Sequence, residues 1–208
     1  VGGTGIQQSG TQGSFLNNDR LIIATESESF LISVNLENSS SSTLHVQSSN
    51  VSLTGGGSHN SPDFQVSEGA SLNFNSGTHL FNGSITTVPA GDFVIRSNFG
   101  IDSGTTQFNI TGTGLRWENG SLISGTFINN GLVEISDGGT AGLDGGNFIN
   151  NSRVTLNGRN FRIMSGSDFL NNSTFEATSD FSFISSSSEP GRFLNAGLFH
   201  KSGGESVS

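Results

Sequence analysis

Several residue types are missing or scarce in this sequence of 208 residues. It contains no Cys, no Tyr, one Met, one Trp and 3 Pro, and only 12% of its residues are charged. The absence of Cys excludes disulfides and thiolate metal sites within the chain. No apolar run approaches the roughly 20 residues that a membrane-spanning helix needs, so we expect no membrane insertion.

Positive charge is also scarce. Lys201 is the only lysine, the seven arginines stand singly, and the formal net charge is -9. Because affinity for phosphate needs clustered cations, we expect no nucleic-acid partner. Arg153, Arg159 and Arg162 form one local basic cluster, and on an acidic chain we expect these side chains to pair with neighbouring acids.

Glycine and phenylalanine, by contrast, are abundant, with 30 Gly and 17 Phe. A Gly-rich composition with only 31% hydrophobic residues could signal disorder, but disordered chains are poor in aromatic residues and rich in charge or proline. We therefore expect the chain to fold around a dry interior. The acidic, Ser/Thr/Asn/Gly-rich composition without Cys is common among secreted bacterial proteins, and it predicts an extracellular or cell-surface location. No signal segment opens the sequence, so we expect that any export signal has been removed.

A motif of eleven residues recurs in the second half of the chain. TFINNGLVEIS (126–136), NFINNSRVTLN (147–157) and DFLNNSTFEAT (168–178) are nearly the same, and a shortened copy, FLNA, begins at Phe193. The interval between the leading Phe residues is constant over the first three copies and slightly longer before the last. A fixed period of about 21 residues is typical of solenoids.

Apolar and polar residues alternate within each repeat. Six residues after each leading Phe comes a second apolar position, and Val133-Glu134-Ile135 shows the period of two that a half-buried strand requires. Gly, Ser, Asn and Asp fill the joints, where they favour turns. We predict an all-β, single-stack parallel β-helix of about ten coils, each of roughly 21 residues with three short strands.

We expect one β-solenoid domain over residues 1–208. Within it, residues 1–43 and 106–208 are predicted to form coils, and those of 106–208 are the more regular. Residues 44–105 are predicted to form less regular coils with loops, because the repeated motif is hard to recognise there and SHNSPDF and TTVPAGDF contain prolines. If the chain has a binding function, we expect it in these loops.

Stacking explains why the same residues recur. When coils stack, Phe lies on Phe, backbone groups pair above and below, and Asn side chains can bond along the axis in a ladder. We expect the ladder to reach Asn17 and Asn38. The residues that we predict to stack in the repeats are Phe127, Phe148, Phe169, Phe193, Asn129, Asn150, Asn171, Asn195, Val133, Val154, Phe175 and Phe199.

The segments GTFINNGLVEISDGG and RFLNAGLFHKSGG resemble the Gly/Asn-rich coils of bacterial surface proteins of the filamentous-haemagglutinin and autotransporter-passenger type. The resemblance covers residues 108–204 well and the first half loosely. It implies a right-handed parallel β-helix and an exported protein. No catalytic or binding residue carries over from it.

The sequence offers little support for enzyme chemistry. Hydrolases and lyases built on β-helices need converging carboxylates, or a carboxylate with a base, and the Asp-pair and Gly-His-Gly motifs of galacturonan hydrolases are missing. Glu26 and Glu28 are the closest acids, and we interpret them as a solvated strand face. We expect no catalytic residue, no cofactor and no metal.

Three further patterns have the residue types of ligand sites. The outward residues Glu134, Thr155, Glu176 and His200 would be neighbours in a stacked sheet, and we interpret them as spaced surface charge rather than a cation or sugar site. The four His residues lack the spacing of a zinc site. GGTAGLDGG (138–146) is similar to a calcium-binding nonapeptide, but it occurs once and carries an extra residue, so we interpret it as a turn.

These observations predict a structural extracellular protein: the rigid shaft of a surface adhesin, or a subunit of an extracellular filament. The expected partner is another copy joined end to end, or the continuation of a longer solenoid, with surface glycans as a further possibility. Two alternatives stay open at this stage, namely a carbohydrate-binding or carbohydrate-active β-helix and a segment of a phage tailspike.

Overall fold

The chain folds into short parallel β-strands joined by turns. In the computed structural model the strands wind into a β-solenoid, and no helix occurs among the described residues. The all-β, parallel β-helix prediction is confirmed, whereas the right-handed sense of the coil stays a prediction. The structure describes residues 4–7, 13–87, 90–102, 104–110, 114–136, 139–158, 160–185 and 188–205.

Each turn of the coil contributes one strand to each of three faces, which we number in chain order. Face 1 is a separate sheet of nine strands. Faces 2 and 3 form one sheet, because β3 (Arg20–Ile32) and β5 (Thr43–Leu53) run through the corner between them. The core is therefore enclosed on three sides by strands.

The remaining strands are distributed as follows. Face 1 contains β2 (Ser14–Asn17), β4 (Asn35–Asn38), β6 (Gly57–Asn60), β9 (His79–Asn82), β12 (Phe99–Ile101), β15 (Gly120–Leu122), β18 (Ala141–Asp144), β21 (Asn160–Met164) and β24 (Ser182–Ile184). Face 2 adds β7 (Asp63–Val66), β10 (Ser84–Thr87), β13 (Thr105–Ile110), β16 (Thr126–Asn129), β19 (Asn147–Asn150), β22 (Asp168–Asn171) and β25 (Arg192–Asn195). Face 3 adds β1 (Thr4–Ile6), β8 (Ser71–Phe74), β11 (Asp92–Ile95), β14 (Leu115–Trp117), β17 (Leu132–Ser136), β20 (Arg153–Asn157), β23 (Thr174–Ala177) and β26 (Leu198–Lys201).

The number of turns is slightly lower than predicted. The structure has about eight turns, against the predicted ten or so, although the spacing of about 21 residues is confirmed. The prediction divided the whole length by a constant repeat, but the spacing is wider between the paired residues Thr4 and Phe30, and again between Asp168 and Arg192. A coil with longer connecting loops contains more residues, so the same chain length gives fewer coils.

The middle of the chain, 44–105, continues the same stack. Val51 lies opposite Leu72, and Leu72 lies opposite Phe93, so the spacing of the repeat is kept. Pro62 is buried in the turn between β6 and β7, while Pro89 of TTVPAGDF lies outside the described residues. The stack is continuous here because the inward positions stay apolar even though their residue types change.

Inward side chains form one narrow core along the axis. In β17, Val133 and Ile135 are buried and Glu134 between them is partly exposed, as the period of two requires. Around the middle of the stack the core becomes aromatic, with rings that meet mostly edge to face. The fully buried rings of this region belong to Phe64, Phe74, Phe81, Phe93, Phe99, Phe108 and Trp117.

Two glycines show how closely successive coils approach at the start of face 1. Gly57 and Gly120 have φ angles of 146° and 82°, which favour glycine. A Cβ atom at Gly57 would lie 1.9 Å from the carbonyl oxygen of Leu36, and one at Gly120 would lie 2.1 Å from that of Ser97. A side chain at either position would force the neighbouring coils apart.

Candidate functional site

The leading Phe of each repeat joins a column of stacked rings on face 2. Ring centroids in this column are 4.9, 4.7 and 5.2 Å apart. The spacing matches the distance of about 4.8 Å between paired strands, because each ring projects from the next strand of the face. The column consists of Phe127, Phe148, Phe169 and Phe193, of which the first three are fully buried.

The second apolar position of each repeat forms a parallel column on face 3. The pairing of β17, β20, β23 and β26 places Val133, Val154, Phe175 and Phe199 opposite one another. The rings of Phe175 and Phe199 stack at 5.4 Å. Phe199 is partly exposed because β26 is the last strand that the structure describes on this face.

An asparagine ladder, here called the inner ladder, follows the corner between faces 2 and 3. It consists of Asn129, Asn150, Asn171 and Asn195. The Nδ2 of each donates to the Oδ1 of the next, at 2.9, 2.7 and 2.7 Å. Each of the first three also donates to a backbone carbonyl of the next coil. These three amides are fully buried, and their hydrogen bonds tie each coil to its successor.

Asn17 and Asn38 do not extend the inner ladder. They end β2 and β4, which belong to face 1, and Asn17 Nδ2 donates to Asn38 Oδ1 at 2.9 Å. The expectation of one continuous ladder was wrong in this respect, because the FLNN motif near the start of the chain lies on a different strand of the coil. The structure thus has two internal ladders, on two corners.

Two histidines continue this second ladder, which we call the histidine ladder. Asn38 Nδ2 lies 2.8 Å from Nδ1 of His59, and His59 Nε2 lies 3.1 Å from Nδ1 of His79. Because an amide nitrogen can only donate, Nδ1 of His59 accepts and its Nε2 carries the proton. His79 in turn donates from Nε2 to the carbonyl of Ser76 at 3.2 Å. Both imidazoles are therefore neutral members of one directed chain.

The environment of the two histidines supports this assignment. Both are completely buried, and Phe64, Phe74 and Phe81 surround the ring of His59. Burial lowers the pKa of His59 well below its usual value, and it lowers the pKa of His79 to about 4. The sequence carried a signal for His59, since it follows Asn38 at the same interval at which Asn38 follows Asn17.

A third ladder runs along the outside of the coil and was not anticipated. The second Asn of each repeat donates from Nδ2 to the Asn of the preceding coil, at 2.9, 3.3 and 3.0 Å. This outer ladder consists of Asn109, Asn130, Asn151 and Asn172. Its bonds point toward the N-terminus, opposite to those of the inner ladder. The repeated second Asn of FINN was the available signal.

In the outward column of face 3, Glu176 forms ion pairs and hydrogen bonds. Glu134, Thr155, Glu176 and His200 lie opposite one another. Hydrogen bonds from Ser202 and Arg153 lower the pKa of Glu176, and Arg153 Nη2 lies 2.5 Å from its carboxylate. Among the described residues, no group of three or more His, Asp or Glu is placed to hold a metal ion.

A shallow cleft of about 330 Å³ lies on face 2. It contains the residue types of a hydrolase site, but the imidazole nitrogen that faces the serine carries a proton and cannot act as the base. Arg20 Nη2 lies 3.4 Å from Nδ1 of His45, and His45 Nε2 lies 3.2 Å from Oγ of Ser67. Since a guanidinium only donates, Nδ1 accepts and Nε2 donates to Ser67. A serine nucleophile needs an imidazole that accepts its proton, so this arrangement does not activate Ser67.

A polar groove crosses face 3 near the middle of the chain. Arg96 and Arg116 each lie 2.5 Å from the carboxylate of Glu118, and Arg96 also donates to Asn73 at 2.7 Å. Serine hydroxyl and asparagine amide groups continue the groove on both sides of these residues. The groove is lined by Asn50, Ser52, Ser71, Asn73, Asn75, Asp92, Val94 and Arg96. These charges neutralise one another, so the groove presents hydrogen-bonding groups rather than net charge.

The structure describes only part of the remaining candidates from the sequence. Glu28 is exposed on β3, while the side chain of Glu26 and the whole of Arg159 lie outside the described residues. Residues 141–144 of GGTAGLDGG form β18, and Asp144 accepts a hydrogen bond from Ser165.

No helix long and apolar enough to cross a membrane occurs in the part of the chain that the structure describes.

Replacement of Asn150 by Ala is expected to lower the free energy of unfolding by roughly 3 kcal/mol, since it removes the buried hydrogen bond from Asn129 and those to Asn171 Oδ1 and the carbonyl of Thr174. The matched variant Asn151→Ala, one residue along and exposed, should change it by less than about 0.5 kcal/mol. Equilibrium urea unfolding followed by circular dichroism measures both. Equal losses for the two variants would contradict the inner ladder.

Stability is expected to fall as the pH is lowered from 7 to 5. The unfolded chain protonates its histidines near pH 6.5, whereas buried His59 and His79 stay neutral until lower pH, so the unfolded state binds more protons. Each histidine contributes up to about 1.4 kcal/mol per pH unit. The pKa values of Asp168 and Glu176 are lowered in the folded protein, so these carboxylates add to the loss of stability only at pH values below this range.

Urea midpoints at pH 7, 6 and 5 test this expectation. His59→Asn, which keeps a ladder-forming side chain, should reduce the slope of stability against pH. A flat wild-type profile between pH 7 and 5 would show that the two buried imidazoles are not held neutral.

The likeness of this chain to known proteins lies in its architecture. Parallel strands, stacked turns and a spacing of about 21 residues define a β-solenoid. The resemblance to haemagglutinin-type and autotransporter repeats holds for that fold, and beyond the fold it stays a prediction. No family model, no curated protein and no solved structure matches the chain.

Proposed function

We propose that this chain is a rigid structural element of an extracellular or cell-surface protein, the shaft that holds other parts of an adhesin at a distance. The observation that carries the proposal is the unbroken pairing of each coil with the next on three faces. Bending such a stack at any level would break hydrogen bonds on at least one face. Rigidity is therefore a property of the whole coil.

The ladders support the same role. Inner, outer and histidine ladders add side-chain hydrogen bonds along the axis, parallel to the direction in which a shaft is loaded. About eight turns, each about 4.8 Å from the next, give a length of roughly 40 Å. A shaft needs this length and stiffness, and it needs neither a cofactor nor a deep cleft.

An extracellular location is supported by composition and by the paired backbone. The chain is acidic, without Cys, and rich in Gly, Ser and Asn, as secreted bacterial proteins commonly are. Proteases cleave exposed, flexible segments, and a coil whose strands are paired on both sides offers few of them. Both features suit a protein that works outside the cell.

Binding of a glycan is the second candidate, and one observation favours it. The polar groove on face 3 presents amides, hydroxyls and a guanidinium on successive coils. Sugars are recognised by hydrogen bonds of this kind, and regularly spaced groups suit a regular polymer. The groove lacks an exposed aromatic ring among its lining residues, so its contribution would be polar.

A glycan array combined with lyase and hydrolase assays on acidic polysaccharides separates the two functions. The shaft proposal predicts no turnover and no specific binding. The matched variant Arg96→Ala, which removes the guanidinium of the groove, should then leave the array profile unchanged. Turnover, or specific binding that Arg96→Ala abolishes, would contradict the shaft and support a carbohydrate role.

A further inference from the structure

The sequence contains four Asn-Gly pairs, and their surroundings in the stack differ. The pairs are Asn82-Gly83, Asn119-Gly120, Asn130-Gly131 and Asn157-Gly158. Asn followed by Gly is the dipeptide most prone to deamidation, because glycine has no Cβ to obstruct the attack of its backbone nitrogen on the asparagine amide. The attack requires a side-chain amide that can move and a backbone nitrogen that is not engaged in a hydrogen bond.

Two of the pairs have a side-chain amide that is bound to a neighbouring coil. Asn82 Nδ2 donates to Oδ1 of Asn60 at 3.4 Å. Asn119 Oδ1 accepts a hydrogen bond from the backbone N–H of Thr140 at 3.0 Å. Each amide is therefore restrained by a hydrogen bond that the attack would have to break.

In the third pair both reacting groups are restrained. Asn130 belongs to the outer ladder, where its Nδ2 donates to Asn109 and its Oδ1 accepts from Asn151. The backbone N–H of Gly131 donates to Oδ1 of Asn129, a residue of the inner ladder, at 2.9 Å. The two ladders thus hold the amide and the attacking nitrogen apart, although the side chain of Asn130 is exposed.

The fourth pair has neither restraint. Asn157 is the last residue of β20, and its side chain is exposed. Among the described residues its amide has no hydrogen-bond partner, and the N–H of Gly158 has no acceptor. Strand β20 is paired on both sides, with β17 and β23, so this pair lies within the stack.

We propose that Asn157 is a site of spontaneous deamidation and that the ladders protect Asn130 from the same reaction. The backbone nitrogen of Gly158 attacks Cγ of Asn157, so that an N–Cγ bond forms and the Cγ–Nδ2 bond breaks. The proton of the attacking nitrogen passes through solvent to Nδ2, which leaves as ammonia. Water then opens the succinimide at either carbonyl and yields aspartate or isoaspartate.

The reaction changes the end of β20. It replaces a neutral amide with a carboxylate, and the isoaspartate product also lengthens the main chain by one methylene group. The reaction needs only water, so it does not depend on whether the chain serves as a shaft.

Peptide mapping of protein that has been aged in the folded state at mildly alkaline pH tests this proposal. Trypsin releases Asn157 in peptide 154–159 and Asn130 in peptide 117–153, where fragment ions distinguish Asn130 from Asn119. Deamidation should be roughly tenfold or more faster at Asn157 than at Asn130, because Asn130 reacts only when its hydrogen bonds open. In protein aged in urea, the two rates should agree within about threefold because neither pair is restrained.

A pair of variants tests the same site in the intact protein by anion-exchange chromatography. Asn157→Gln should lose most of the acidic form that accumulates in the wild type, because glutamine would have to close a six-membered ring and reacts far more slowly. The matched control Asn130→Gln makes the same change at an exposed Asn-Gly pair that the ladders restrain. It should accumulate the acidic form as the wild type does.

Four results would overturn the proposal. The first is an equal rate at Asn157 and Asn130 in the folded protein. The second is an Asn157 that stays intact in the folded protein while it reacts in urea. The third is an acidic form that accumulates in Asn157→Gln at the wild-type rate. The fourth is a difference between the two sites that persists unchanged in urea, since it would then come from the neighbouring sequence.

Discussion

Parallel pairing between coils at a constant interval along the chain is the constraint on which the rest of the structure depends. Because strands on each face repeat at about 4.8 Å, a side chain in one coil meets the side chain at the same position in the next. Identical residues then become mutually complementary: Phe148 stacks between Phe127 and Phe169, and Asn150 bonds both Asn129 and Asn171. The repeat in the sequence is the consequence of this geometry, since a residue that suits one coil suits its neighbour.

Buried polar groups are tolerated in this core because the stack supplies their partners. An asparagine amide has both donors and acceptors, so a column of Asn residues can satisfy itself. The inner ladder and the histidine ladder use different corners, one toward each end of the chain, and the aromatic core lies largely between them. His59 takes the place of an Asn in its ladder, because Nδ1 and Nε2 of a neutral imidazole accept on one side and donate on the other. The presence of an imidazole instead of an amide makes this ladder sensitive to protonation.

Much of this architecture could be predicted from sequence, and the limits have physical causes. Alternation of period two and the constant interval between copies of the motif predicted parallel stacked strands, and they were clearest where Phe127, Phe148 and Phe169 repeat. The middle coils were harder to recognise because Leu72 and Phe93 fill equivalent inward positions with different residues, and a core accepts any side chain of suitable size and polarity. The face on which Asn17 and Asn38 stack could not be predicted, since the motif near the start of the chain lies one strand earlier in the coil.

Site-directed disulfides measure most directly whether neighbouring coils are adjacent in register, because the chain has no cysteine of its own. Asn130 and Asn151 are neighbours in the outer ladder, whereas Asn130 and Asn172 are two coils apart. Paired strands about 4.8 Å apart allow a disulfide, and twice that distance exceeds the limit of about 7 Å. The double variant Asn130→Cys/Asn151→Cys should therefore oxidise to an intramolecular disulfide in the folded protein, and Asn130→Cys/Asn172→Cys should keep free thiols, as mass spectrometry would show. Bond formation in the second pair but not the first would contradict the stacked coil.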